Sequence, residues 1–147
     1  MTDDWERVDT GAPDPDLMAR AGAVAEDYEP LVTRIKFDNS IDPETVHIHL
    51  AEGIHGDGGR FDVTWTDRGY YRYHYTEGPD FNYRYDRHPR PNLPDNHFHE
   101  PPDAAHDAIP SCIEVTTVRL VTLAVLQLWR DTVEAGDLKL LQQPNPP

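Results

Sequence analysis

Apolar and polar positions alternate most clearly in the middle of the chain. Phe61, Val63 and Trp65 alternate with Asp62, Thr64 and Thr66. Tyr71, Tyr73 and Tyr75 alternate with Tyr70, Arg72, His74 and Thr76, and Phe81, Tyr83 and Tyr85 with Asn82, Arg84 and Asp86. A period of two sends successive side chains to opposite faces, so each segment reads as a half-buried strand. Asp67-Arg68-Gly69 and Glu77-Gly78-Pro79-Asp80 supply turn chemistry between them, giving a three-stranded meander. Upstream, Val46, Ile48 and Leu50 oppose Thr45, His47 and His49. Residues 31–37 predict a further strand, with Leu31, Thr33, Ile35 and Phe37 on its apolar side and Val32, Arg34 and Lys36 on the other.

Helical spacing appears at both ends. Asp14 or Asp16 caps a predicted helix from Leu17 to Tyr28, with Leu17, Ala21, Val24 and Tyr28 on one face and Pro30 as its stop. Thr116 or Thr117 opens a long helix that ends near Ala135, with Gly136 at its C-terminal cap. Arg119, Thr122, Gln127 and Arg130 form its narrow polar stripe. So wide an apolar surface suits either a deeply buried helix or one whose flank docks a partner. Residues 87–110 hold six prolines and predict a long loop, a common place for function. The expected class is α+β: a five-stranded, mostly antiparallel sheet with an N-terminal helix and a long C-terminal helix packed on one face. One domain is expected over 15–141, between a disordered acidic tail at 1–14 and a disordered Pro-rich tail at 142–147.

Composition sharpens this picture. A hydrophobic content of 37% and a mean hydropathy of -0.71 exclude a membrane protein. The longest apolar stretch, Leu120 to Trp129, is too short to span a bilayer. No apolar run precedes Asp16, so no signal peptide is expected, and the single cysteine, Cys112, fits a reducing, cytoplasmic setting. The net charge is -14, built from 18 Asp and 9 Glu against 11 Arg and only two Lys, Lys36 and Lys139. Dispersed acids with so little lysine predict a halophilic protein, because the Debye length falls to about 3 Å in molar salt and self-repulsion is screened. Read this way, the acidity does not exclude a nucleic-acid partner.

With all apolar faces turned one way, the opposite face collects Arg34, Lys36, His47, His49, Arg72, His74, Arg84 and Asp86. Residues 60–90 hold six Arg against five acids, a net of +1, which leaves -15 on the rest of the chain. Arg forks bind phosphate and aromatic rings stack on bases, so this island suits single-stranded RNA. The alternative is ion pairing between neighbouring strands. In an extended segment His97 and His99 point the same way, and His88 or Glu100 would complete a metal site. No cysteine or third ligand stands at diagnostic spacing. The histidines are therefore read as hydrogen-bond or acid–base groups, and no cofactor is implied.

Tyr73-His74-Tyr75, Arg84-Tyr85-Asp86-Arg87-His88-Pro89 and Leu93-Pro94-Asp95-Asn96-His97-Phe98-His99 together resemble the TumE-type toxins of prokaryotic toxin–antitoxin modules. Members of that family carry a Tyr/His-rich strand, an Arg-Trp-Asp-Asn-like turn, a Pro-His-His step and a His-x-His segment before a helix. Here Tyr85 stands for Trp, Arg87 for Asn, and one His precedes Pro89. The resemblance covers about residues 45–130. It implies a growth-inhibiting toxin neutralised by a helix-turn-helix antitoxin, and ribonuclease-like action on RNA is the chemistry closest to these residues. Under it, His74, His97, His99 and Asp86 are the expected catalytic set, and Arg72, Arg84, Arg87 and Tyr73 hold phosphate or RNA. A different class is a non-catalytic subunit docking a partner, or a second copy of itself, through the C-terminal helix.

Overall fold

The computed structural model describes residues 10–56, 58–89 and 92–143. Asp14 accepts the backbone amides of Asp16 and Leu17 at 3.0 and 3.2 Å, and with Pro15 at the first helical position it starts α1, Pro15–Tyr28. The buried stripe of α1 is Met18, Ala21, Gly22 and Ala25. This is rotated from the expected Leu17, Ala21, Val24 and Tyr28. The cause is close packing: a Cβ on Gly22 would lie 2.7 Å from Ile35 Cγ2, so the helix turns its small residues to the sheet. Tyr28 stays 40% exposed, its hydroxyl on Gln127.

Seven strands follow in one antiparallel sheet whose spatial order is the chain order: β1 Val32–Phe37, β2 Val46–Leu50, β3 Gly59–Trp65, β4 Tyr71–Glu77, β5 Phe81–Arg87, β6 Asn96–His99 and β7 Ile109–Pro110. The sequence predicts five. The two extra strands come from the proline-rich segment expected as a loop, which runs back along β5. Phe98 pairs with Tyr85 and stacks on its ring at 4.7 Å between centroids. Pro110 is tolerated in β7 because an edge strand needs no donor on its outer side. In β1 the expected alternation slips. A bulge between Val32 and Arg34 leaves Thr33 exposed and brings Val32 opposite Leu50, onto the core side.

A second helix, α2, runs Val118–Ala135 and closes on Gly136 at φ 68°. Val121, Ala124, Val125, Leu126, Leu128 and Trp129 are all buried, and Leu120 remains 44% exposed. Thr122 leaves the expected polar stripe. It is fully buried, its hydroxyl 2.6 Å from that of Tyr73, which also accepts from Trp65 Nε1 at 2.9 Å. Arg130 clamps the buried Glu29 at the end of α1. A short 3-10 helix, Leu138–Gln142, offers the Leu141 carbonyl to Tyr85 at 2.6 Å. The core is thus a layer of strand aromatics in which the hydroxyls of Tyr73, Tyr75 and Tyr85 are hydrogen-bonded, while those of Tyr71 and Tyr83 are buried without a hydrogen-bond partner among the described residues.

Most of the two expected tails, residues 1–9 and 144–147, lies outside the described residues. Within them, Thr10 is buried, Asp14 N donates to Trp65 O at 2.8 Å, and Gln142 accepts from Cys112 N at 2.7 Å. Among the described residues no helix is long and apolar enough to cross a membrane.

Candidate functional site

Strand register decides which polar side chains meet. One row crosses six strands as Lys36, His47, Asp62, His74, Arg84 and His99; the next runs Thr64, Arg72, Asp86 and His97. The polar face predicted from alternation therefore exists, and β6 extends it with His97 and His99. Much of it is internally paired. His47 Nδ1 lies 2.5 Å from Asp62 Oδ1, Arg60 holds both oxygens of Asp62 at 2.7 and 3.1 Å, and His74 Nε2 lies 2.9 Å from Asn82 Oδ1.

Asp86 is the hub. Its side chain is 0% exposed, yet Arg84 Nε donates to Oδ2 at 2.9 Å and Arg72 Nε stands 3.7 Å from Oδ1. Three imidazoles converge on Oδ2 through Nε2: His99 at 3.1 Å, His97 at 3.7 Å and His88 at 3.9 Å. His99 Nε2 also meets Arg84 Nη2 at 3.0 Å. Each of the three rings has Nδ1 against a main-chain carbonyl: Pro89 O for His88, Asp95 O for His97 and Ala105 O for His99, at 3.1, 3.0 and 2.8 Å. Burial alone would raise the Asp86 pKa. The hydrogen bond to His99 and the charges of Arg84 and Arg72 outweigh it and hold the carboxyl well below the usual carboxylate range. Burial pushes the His88 imidazole down from its ordinary value.

The family model described as Toxin TumE matches residues 21–134, which takes in most of α1, the whole sheet and nearly all of α2. The chain belongs to the TumE toxin family. None of the curated proteins and none of the solved structures matches it. As a TumE-family member it is a toxin component of a toxin–antitoxin system, with an antitoxin as its partner. Asp86, its arginines and its histidines all lie inside the matched region.

Not every expected site residue of this TumE-family chain joins the hub. Tyr73 sits in the core at 1% exposure and cannot stack on a base. Arg87 has the opposite parity from Asp86; its guanidinium donates to Gly69 O at 3.0 Å and lies 5.3 Å from the Tyr70 ring centroid. Asp86, His97 and His99 are buried, while the side chains of Arg72, Arg84 and His74 are partly exposed. Sequence reasoning set His88 apart from Asp86. The signal that joins them is the same one that joins His97 to His99, an i, i+2 spacing, here across the end of β5 at Arg87.

Proposed function

We propose that this toxin acts on RNA at the polar face of its sheet, around Arg72, Arg84 and His74. One observation carries the reading. Two guanidiniums are anchored on a fully buried carboxylate while their side chains remain 25% and 21% exposed. Anchoring lowers the entropy lost when a phosphate binds, and the guanidinium N–H groups not turned toward Asp86 and His99 would meet its oxygens. Arg84 is also the cross-strand neighbour of the half-buried His74. In the proposed step His74 takes the proton of a ribose 2′-hydroxyl, and the oxygen attacks the adjacent phosphorus. The bond from phosphorus to the 5′-oxygen breaks, and that oxygen takes a proton from water. Asp86 and His99 are positioning residues in this scheme. They fix the guanidiniums where charge builds on phosphorus.

The acidic coat fits the same reading. Its charge is dispersed away from the arginine island, and we infer adaptation to a salty cytoplasm in which phosphate repulsion is screened. The proposed antitoxin is a helix-turn-helix protein seated where α1 and α2 meet, beside Val24, Tyr28 and Leu123. Size-exclusion chromatography with and without it separates that partner from a second copy of the chain. The test of the catalytic reading is incubation of the purified protein with cellular RNA in molar KCl. Fragments ending in 2′,3′-cyclic phosphate support it; intact RNA at stoichiometric protein overturns it.

A further inference from the structure

Phosphate binding by Arg72 and Arg84 leaves one feature of this face without a task. His88 and His97, from two different segments, aim their Nε2 atoms at the same buried carboxylate oxygen. Both rings face a main-chain carbonyl through Nδ1, at 3.1 Å and 3.0 Å. A carbonyl only accepts, so Nδ1 carries the proton in each ring and Nε2 presents a lone pair. An imidazole held in this way by a backbone carbonyl has the orientation usual for a metal ligand.

The spacing also fits. The Nε2 atoms lie 3.9 and 3.7 Å from Asp86 Oδ2, and the ligand atoms of Asp86, His88 and His97 all lie within 4.8 Å of one another. Two ligands bound about 2.0–2.1 Å from one tetrahedral ion stand about 3.3 Å apart, so each atom has less than about 1 Å to move. The two rings pack edge to face, at 86° with centroids 4.6 Å apart, which keeps them side by side at the carboxylate. All three side chains are buried, and Asp86 Oδ1 accepts no hydrogen bond among the described residues. The carboxylate therefore has coordination capacity to spare. His99 is left out of the set because its Nε2 lies 3.0 Å from Arg84 Nη2, a donor that already covers it.

The geometry points to a binding site for a divalent first-row transition metal formed by Asp86, His88 and His97. Two imidazoles and one carboxylate are the donors of zinc and ferrous sites, with a fourth position left for water, and unlike the all-oxygen sites of magnesium or calcium. The adjacent guanidiniums oppose a dication and limit affinity, which favours ions that bind imidazole strongly. The inference does not rest on the RNA reading, because binding is measured without RNA.

The test uses the full chain, carrying no polyhistidine tag, stripped with EDTA and titrated separately with Zn2+, Mn2+ and Mg2+ by calorimetry. One equivalent of Zn2+ per chain is expected, with binding of Mg2+ at least tenfold weaker. His88→Gln and His97→Gln should each weaken Zn2+ binding tenfold or more, while His47→Gln, remote from the hub, leaves it unchanged. Where a variant fails to fold, Co2+ is added to the wild-type chain and its visible d–d bands are read. Substoichiometric binding, Zn2+ binding indifferent to both substitutions, or absence of the Co2+ bands overturns the site.

Discussion

Asp86 shows what one residue does when a sheet face closes over it. Its charge is compatible with burial only because Arg84, Arg72 and His99 surround it. Removing the carboxylate leaves two guanidiniums held together without their counter-charge. Asp86→Ala is therefore expected to destabilise the fold by about 3–5 kcal/mol, read as a shift in the urea unfolding midpoint. A change below about 1 kcal/mol would mean the arginines do not depend on it. Parity along the strands made part of this hub legible, since Arg72, Arg84 and Asp86 fall on one face, and His97 and His99 on a common side of their own segment, by counting in twos. Parity also places Tyr73 with Tyr71 and Tyr75, in the core, where the register puts it. What counting cannot show is depth. His97 reads as an exposed loop histidine until β6 pairs with β5 and buries it.

At the scale of elements, β4 and β5 are unusual in burying five tyrosines, Tyr71, Tyr73, Tyr75, Tyr83 and Tyr85. Even the backbone makes room for them, since a Cβ on Gly59 would lie 2.6 Å from Tyr75 Cζ. Burial raises the pKa of all five phenols above 10.0. The unfolded chain releases these protons near pH 10 and the folded chain keeps them. Stability is therefore complete below about pH 10 and is lost as pH rises toward the folded values, by up to about 1.4 kcal/mol per tyrosine per unit. The share of tyrosinate absorbance at 295 nm that comes from these five should consequently grow in one cooperative step together with loss of circular dichroism, apart from the ionisation of Tyr28 and Tyr70. Gradual ionisation of all the tyrosines with the dichroism intact would contradict the packing. The meander itself was legible because its strands are long and its turns carry Gly. Strands β6 and β7 were not, because they are four and two residues long and their pairing depends on Tyr85 meeting Phe98.

For the whole molecule the governing number is a net charge of -14 that residues 60–90 do not share. If the acids are a coat for salt, screening their repulsion stabilises the fold. The thermal midpoint is expected to rise by roughly 10 °C between 0.1 and 2 M KCl, a gain of a few kcal/mol for a chain of this size. A midpoint that stays level or falls would contradict salt adaptation. The composition made this asymmetry visible, while the family match supplies the biological class, a toxin with its antitoxin. The proposed function joins the two by placing RNA at the near-neutral island. Its most direct measurement is the RNA cleavage rate in molar KCl of Arg72→Gln and Arg84→Gln beside Arg34→Gln, a control on the same face, with folding checked by circular dichroism. The account predicts a loss of about 100-fold or more for the first two and little change for the control. Equal cleavage by all three would contradict it.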